Sequence, residues 1–324
     1  MKATTGIVRA VFVMSVMAGP ASALAAWPDD QPITIIVPQA AGGTNDTAAR
    51  MIGVELGKAL GQTVVVENRP GASGAIGMGA AAKSKPDGYT LAIASDSATV
   101  LSATRENLPW RLERDMVGVA KIGEQPIVVG VSAHAPYRSL ADMLTAAREA
   151  PGKLSFGSSG VGTNQHIIGE WLASLAGVSM IHVPYKGGGQ AVTDLIGGTV
   201  PAAVLGFAPL YGPHRNGTVR VVAVSTPERD PALPDVPTLK ELGYDEISLA
   251  QWVGLVAPKD TPPEIVARIS KAVTVIVRTP EITKRLSDAG LTARPVDTKE
   301  FDPMLKQEIQ RWGELTKRLK LELN

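Results

Sequence analysis

Short runs of β-branched residues alternate with amphipathic helical patterns along nearly the whole chain, and this alternation restricts the possible folds more than any other feature. The runs at residues 33–37, 64–66 and 90–94 are separated by helical patterns, the first of which covers residues 45–60. Strands that alternate with helices are typical of a parallel sheet covered by helices on both faces. The pattern therefore predicts an α/β protein.

A second series of elements follows the same alternation. Its predicted strands are residues 127–131, 154–157, 180–183, 202–205 and 219–224, and its predicted helices are residues 139–150, 164–176, 190–196 and 210–216. The last three helical patterns, from residue 263 onward, have no strands between them and must pack on an existing sheet, for which the first series is the nearest candidate. We therefore expect two domains, residues 27–123 with 249–324 and residues 124–248, each a mixed, mostly parallel sheet flanked by helices.

Residues 1–26 have the pattern of a secretory signal peptide. Lys2 and Arg9 precede a short apolar run, and a small-x-small cleavage motif ends the segment. The apolar run is far shorter than the roughly 20 residues that span a bilayer, so a retained anchor is disfavoured. We expect cleavage near Ala25 or Ala26 and a mature protein in the periplasm.

Composition and spacing exclude several classes of site. The 32 Lys and Arg residues against 31 Asp and Glu leave a formal charge of +1, without the basic footprint of a nucleic-acid partner. The absence of Cys removes thiolate metal ligands and a cysteine nucleophile. His166 and Glu170 stand one helical turn apart without a third ligand, and the glycine-rich segments 71–79 and 186–189 lack the spacing of a nucleotide-binding loop. We expect neither a metal nor a cofactor.

Two predicted strand-to-helix junctions, residues 39–45 and 158–164, are rich in glycine and in polar side chains. Each brings a helix N-terminus, with about half a positive charge, to the carboxyl end of a sheet. Glycine lets a ligand approach the main-chain N–H groups closely, and hydroxyl groups add further donors. Either junction alone could be an ordinary capped turn. Two of them, one in each predicted domain, favour a carboxylate or phosphate site in a shared cleft.

Eight segments, in order over essentially the whole mature chain, resemble the Bug family, the extracytoplasmic solute receptors of tripartite tricarboxylate transporters. Each segment is unspecific alone, and the specificity of the resemblance comes from their common order. The segments are VP with GGTND at 37–46, VENRPGA at 66–72, PDGYTL at 86–91, PGKL at 151–154, SGVGT with His166 and GE at 159–170, HVPYKG at 182–187, PALPDVPT at 231–238 and WVGLVAP at 252–258.

The resemblance implies a hinged, two-domain periplasmic binding protein of type II, the Venus-flytrap class, without enzymatic activity. Such a protein, expected as a monomer, would close on a small organic carboxylate and deliver it to the transmembrane subunits of a tripartite tricarboxylate transporter. The two loops and the end of the third strand would line the cleft. The candidate ligand-binding residues are Gln39, Ala41, Gly42, Gly43, Asn45, Asp46, Ser95, Asp96, Ser158, Ser159, Gly162, Thr163, Asn164, His166, Gly206 and Phe207.

The chain departs from the family pattern at two places. Ala40 and Ala41 stand where the family often has a proline before the paired glycines, and Gln39 replaces a usual aromatic residue. Leu205 and Phe207 flank the position where some members have an acidic residue, so the ammonium group of a ligand would lack a partner. We expect a non-amino carboxylate whose apolar body packs on these two side chains, although both could equally be core residues.

Two alternatives stay open at this point. An exported serine hydrolase would use Ser158 or Ser159 with His166 and Asp96, although Val161 stands where a nucleophile elbow requires glycine. A sensor receptor would have the same fold and present its closed form to a histidine-kinase ectodomain, so only the partner would differ.

Overall fold

The structure is a computed structural model that describes residues 27, 28 and 31–319; the expected signal peptide, residues 1–26, lies outside the described residues. The strands are β1 (Ile33–Val37), β2 (Val64–Asn68), β3 (Thr90–Ser95), β4 (Met116–Ser132), β5 (Ser155–Ser158), β6 (Ile181–Pro184), β7 (Ala202–Gly206), β8 (Val219–Val224), β9 (Ala250–Pro258) and β10 (Thr292–Val296). The helices are α1 (Thr44–Leu60), α2 (Ala75–Ala82), α3 (Asp96–Thr104), α4 (Leu112–Asp115), α5 (Leu140–Glu149), α6 (Asn164–Ala176), α7 (Gly188–Ile196), α8 (Tyr211–Arg215), α9 (Pro263–Val277), α10 (Pro280–Asp288) and α11 (Thr298–Leu319).

One mixed sheet joins these strands in the order β2-β1-β3-β9-β4-β7-β5-β6, with β8 and β10 also paired to β4. The outer ladders, β1 with β2 and β3 and β5 with β6 and β7, are parallel. The ladder of β3 with β9 and every described ladder of β4 are antiparallel. The α/β class with a mixed sheet is confirmed, and antiparallel pairing has a larger share than the sequence predicted.

Strand β4 runs through both parts of the sheet. Its residues 116–126 pair with β9, and its residues 127–132 pair with β7 and β8. We call β1–β3, β9, β10 and the first part of β4 the first half, and β5–β8 with the rest of β4 the second half. The sequence predicted only the second part of this strand. Register shifts near Gly118 and Gly123 interrupt the alternation of side chains in the first part and hide its strand pattern.

Helices pack on both faces of each half. In the first half, α1 and α9 enclose one apolar cluster with β1 and β3, and α2 and α3 contribute to a second cluster on the opposite face. In the second half, α5 and α6 pack on one face and α7 on the other. Helices α9 and α10 pack in the apolar cluster of the first half. Among the described residues, none of the helices combines the length and apolar character that a membrane span requires.

The last helix, α11, contacts both halves. Phe301, in its first turn, packs in the first half. Trp312 and Leu315 belong to the apolar cluster that contains the buried side chains of α5 and α6 in the second half. Arg318 also forms an ion pair at 3.1 Å with Glu246, which precedes β9. This helix therefore bridges the sheet halves instead of belonging to the first alone.

Candidate ligand-binding site

A small cavity of about 30 Å³ lies where the two halves meet. Its lining comes from both halves, and none of the lining side chains is charged. The lining residues are Gln39, Gly43, Thr44, Asn45, Ser95, Ser97, Ser159, Gln165, Gly188, Gly206 and Gln251. A larger groove of about 540 Å³ lies between α2 and residues 105–109, but its lining is mainly apolar and lies outside both predicted loops.

Four helices begin at the cavity: α1, α3, α6 and α7. The residues that precede α1, α3 and α7 are Gly43, Ser95 and Gly187, and none of them caps its helix through a side chain. Each helix N-terminus carries N–H groups without an intrahelical partner and about half a positive charge. The cavity therefore combines a positive potential with main-chain donors, without a cationic side chain.

The first loop is held in place by Asp46. One carboxylate oxygen, Oδ2, accepts from the main-chain N–H of Gly42 and from Arg50 Nε, both at 3.1 Å. The other, Oδ1, accepts from Asn68 Nδ2 at 2.9 Å. Burial raises the pKa of Asp46, but the bonds from Arg50, Gly42 and Asn68 outweigh it and hold the pKa below its usual value. Asp46 thus anchors the loop and does not line the cavity.

The other predicted residues of this loop divide between the cavity and a neighbouring surface depression. Gln39, Gly43 and Asn45 line the cavity, and Asn45 Nδ2 donates to Gln39 Oε1 at 2.6 Å. Ala41 and Gly42 lie instead on a neighbouring surface depression. The first loop therefore offers the cavity both main-chain and side-chain polar groups.

In the second loop, most predicted residues are engaged within the protein. Ser158 is fully buried, and its Oγ lies 2.6 Å from Nε2 of His182. The ring of His182 stacks on that of His166 with centroids 3.8 Å apart, and His166 Nδ1 accepts from the N–H of Gly162 at 3.1 Å. Thr163 caps α6 by accepting from the main-chain N–H of His166. Within this loop, only Ser159 lines the cavity.

The two stacked histidines are uncharged at neutral pH. Burial lowers the pKa of His166 to about 4. Burial, with the added repulsion of His166, lowers the pKa of His182 to about 3. Burial also raises the pKa of Glu170, whose Oε1 lies 3.9 Å from His166 Nε2. Over the described ranges, no group of three or more potential metal ligands occurs, here or elsewhere.

Asp96 and Asn164 meet across the boundary between the halves. Asn164 Nδ2 donates to Asp96 Oδ2, and Ser97 Oγ donates to Asn164 Oδ1 at 2.9 Å. Burial, together with the charge of Glu308, raises the pKa of Asp96 well above its usual value. Neither Asp96 nor Asn164 lines the cavity, so these two predicted residues join the halves in this structure.

Phe207, for which the sequence left a ligand contact and a core position equally open, does not line the cavity. Phe207 and Leu205 are both fully buried in the apolar cluster of the second half, and Phe207 makes an edge contact with Tyr211 at 5.6 Å. Strand β7 lies between β4 and β5 with helices over it, so its large side chains pack inward. Of this segment, Gly206 alone lines the cavity. The packing supports the interpretation of Leu205 and Phe207 as core residues.

Several cavity residues were missed by the sequence reasoning. They are Gln165, Gly188 and Gln251, and the neighbouring Gln125 bonds to Gln251. Thr44, which also accepts from Gln125, and Ser97 line the cavity within segments that were predicted to line the cleft. Gln125 and Gln251 had one weak signal, since each is a polar residue beside an apolar strand run. Their pairing depends on the contact of β4 with β9, which local pattern does not reveal.

The mixed α/β fold and an uncharged cleft lined by helix N-termini define a solute-binding protein of the periplasmic type. The chain belongs to the tripartite tricarboxylate transporter family of receptors, whose family profile matches residues 48–321. This is a family of receptors and not of enzymes, which sets the hydrolase alternative aside.

Known relatives agree with this membership. The chain is 34% identical to the protein BugT of Bordetella pertussis, over 87% of each chain. It is similar to MatC from Rhodopseudomonas palustris with bound malate, at 29% identity and a TM-score of 0.84, with 89% of this chain and 99% of the other covered. It is also similar to Rpa4515 of R. palustris with adipate, at 30% identity and a TM-score of 0.87, with 91% and 98% covered. The resemblance to the Bug family is thus confirmed.

Proposed function

We propose that this chain is a periplasmic receptor that binds a small carboxylate between its two halves and delivers it to the membrane subunits of a tripartite tricarboxylate transporter. The observation that carries the proposal is the convergence of four helix N-termini on one uncharged cavity. Main-chain N–H groups and helix dipoles solvate an anion there, whereas a cation would have no counter-charge in the lining. The malate and adipate of the two relatives support a carboxylate as the anion.

Binding would be coupled to closure of the halves. The chain passes between them after residue 126 and before residue 250, close to the expected domain limits at 123/124 and 248/249. The halves touch through Ala40 N–H and Lys186 O at 3.3 Å and through Arg105 Nη2 and Val161 O at 3.4 Å. A cavity of about 30 Å³ holds roughly two waters, so a ligand enters only when the halves separate. A ligand that contacts both halves favours closure by its differential affinity.

Delivery requires export. The pattern of residues 1–26 and the membership in a receptor family support cleavage near Ala25 or Ala26 and a receptor in the periplasm, which we expect to be a monomer. Mass spectrometry of the protein recovered from the periplasm would locate the mature N-terminus. Recovery of the uncleaved chain in the cytoplasm alone would contradict this part of the proposal.

Thermal unfolding of the exported protein, stripped of ligand by reversible denaturation, tests the central claim. Mono-, di- and tricarboxylates, aromatic acids, amino acids and neutral sugars would be added separately. A ligand at a hundredfold excess over its Kd adds about 2.7 kcal/mol to the free energy of unfolding. At least one carboxylate should produce such a shift and sugars none. A fold that melts cooperatively but responds to no carboxylate would refute the proposal.

A further inference from the structure

A network of buried polar side chains connects the paired strands β4 and β9 to the cavity. Gln125 of β4 and Gln251 of β9 face each other in the ladder between those strands. Gln165 of α6 and Thr44 of α1 complete the network, and all four residues are at most 8% exposed. Thr44, Gln165 and Gln251 line the cavity, so the network decides which polar groups these side chains can offer to a ligand.

The main chain fixes the orientation of every amide in this network. The N–H of Ala208 donates to Gln125 Oε1 at 2.7 Å, and a main-chain N–H cannot accept. Gln125 Nε2 therefore donates to Thr44 Oγ1 at 2.8 Å and to Gln251 Oε1 at 3.0 Å. Gln165 Nε2 donates to the same oxygen of Gln251 at 3.2 Å. Reversal of any one amide would place two donors or two acceptors against each other.

This orientation leaves Gln165 with an acceptor. Its Oε1 is buried and has no hydrogen-bond partner. Asn45, whose Nδ2 donates to Gln39, likewise has a buried Oδ1 without a partner. Thr44 accepts from Gln125, so its hydroxyl hydrogen is available to donate. The cavity thus provides donors for an anion and two unpaired acceptors for a group that donates.

Resting on the proposed function, we propose that the ligand is a hydroxycarboxylate. Its carboxylate is received by the helix N-termini and the Thr44 hydroxyl, and its own hydroxyl donates to Gln165 Oε1 or Asn45 Oδ1. A plain carboxylate has acceptors only and leaves both amide oxygens unpaired, which is costly in a buried site. Sites with buried polar groups discriminate strongly against analogues that lack the matching group.

An amino acid is a poorer match than a hydroxy acid. Its ammonium group also donates, but the cavity lining has no carboxylate to balance the charge. Asp96, at the start of α3, does not line the cavity, and its Oδ2 accepts from Asn164. Burial raises the pKa of Asp96, which disfavours the charged form that an ammonium group would need as its partner. If the site required only some hydrogen-bond donor on the ligand, hydroxy acids and amino acids would bind equally well. We instead expect the hydroxy acid to bind more tightly.

Matched sets of acids that differ at one substituent test the inference by isothermal titration calorimetry. Each set holds a plain, a hydroxy and an amino acid of equal length: propionate, lactate and alanine; succinate, malate and aspartate; glutarate, 2-hydroxyglutarate and glutamate. In every set with a binding member, the hydroxy acid should bind at least about tenfold more tightly than the other two, about 1.4 kcal/mol.

Two variants separate the roles within the network. Gln165→Met keeps the side-chain volume but removes the acceptor, so the advantage of the hydroxy acid over the plain acid should fall below about threefold. Thr44→Val removes the donor to the carboxylate, so both acids should lose affinity by a similar factor. Gln310→Met, on the exposed face of α11, is the matched control and should retain the wild-type preference.

The outcomes distinguish this inference from the function on which it rests. If plain and hydroxy acids bind equally well, water fills the acceptors, and the hydroxycarboxylate inference is wrong while the receptor function stands. If amino acids bind most tightly, the inference is also overturned. If no acid in any set binds to the folded protein, the carboxylate-receptor proposal itself fails. A preference that survives Gln165→Met would remove Gln165 from the explanation.

Discussion

The two glycine-rich loops have the same sequence pattern but different roles in the structure. Residues 39–45 present side chains and uncapped N–H groups to the cavity, and their anchor, Asp46, lies in the first turn of α1. Residues 158–164 direct most of their polar groups into the protein: Ser158 to His182, Thr163 to the cap of α6, and Asn164 across to α3. A common local pattern thus specifies a helix N-terminus, while the surrounding side chains decide whether it binds a ligand or joins two parts of the protein.

Acid should affect the second loop first. The folded pKa values of His166 and His182, about 4 and about 3, lie below the usual 6.5, so below pH 6.5 the unfolded chain binds protons that the folded protein does not. The contribution of the two histidines to the free energy of unfolding therefore falls by about 1.4 kcal/mol per histidine for each unit by which the pH falls, on the order of 4 kcal/mol in total between pH 6.5 and 5. The raised pKa values of Asp96 and Glu170 act in the opposite direction. Asp46, with its lowered pKa, contributes stability that is lost only as the pH falls below its usual 3.8.

Urea unfolding at pH 7, 6 and 5 measures this slope. His182→Gln removes one of the two groups and should roughly halve the loss, while Gln can still bond to Ser158. His134→Gln, at an exposed position, is the control and should keep the wild-type slope. A slope that His182→Gln leaves unchanged would show that His182 is not held neutral by burial.

Removal of the anchor should damage the first loop selectively. Asp46→Ala deletes the acceptor of the bonds from Gly42, Arg50 and Asn68 and should lower the free energy of unfolding by about 3 kcal/mol. Carboxylate affinity should fall as well, because the loop loses its position. Chemical denaturation and ligand titration check both effects. The control is Glu67→Ala, whose exposed pair with Arg69 should contribute less than about 0.5 kcal/mol.

Substitution of the two loop asparagines should affect different properties, stability at Asn164 and ligand affinity at Asn45. Asn164→Ala leaves Asp96 and Ser97 buried without their partner and should cost about 2 kcal/mol of stability. Asn45→Ala lies on the cavity and should mainly weaken ligand binding. Denaturation of the ligand-free variants, followed by calorimetric titration, separates the two. Equal losses of stability would contradict the division of roles between the loops.

The smallest expected difference concerns one glycine in each loop. Gly42 and Gly160 both have positive φ, at +84° and +136°, so Gly→Ala strains either backbone by about 1 kcal/mol. At Gly42 the added methyl meets no atom within 4 Å, whereas at Gly160 it would lie 2.7 Å from Ser73 Oγ of the first half. Gly160→Ala should therefore cost more and also separate the halves. Denaturation and small-angle scattering would detect the loss and the expansion.

Elements with strong terminal signals were predictable from the sequence. The bounds of α6 and α9 match the prediction, because Thr163 and Gly177 bracket one helix and Pro263 begins the other. Helix α3 was missed because its polar and apolar residues are mixed around the helix and most of them are buried, which leaves no amphipathic stripe.

The site was predictable only in its local part. The two loops were predictable because their glycine and capping residues are adjacent in sequence. Gln125 and Gln251 are 126 residues apart and share a function only because β4 and β9 pair. Asp46 and Ser158 are residue types that often bind ligands. In this structure their side chains form hydrogen bonds with Asn68 and His182 instead, and these partners lie on other strands.

Helix α11 limits the mechanics of any separation between the halves. The two chain crossings, one within β4 and one before β9, would by themselves allow the halves both to swing and to twist relative to each other. The contacts of Trp312, Leu315 and Arg318 with the second half add a third tie, roughly 20 Å of helix away from the contacts of Phe301. A twist of one half against the other would break these contacts of α11. A hinge rotation about an axis close to α11 would preserve most of them. In the proposed closure, the two halves would therefore move mainly along one path, with the open and closed forms at its two ends.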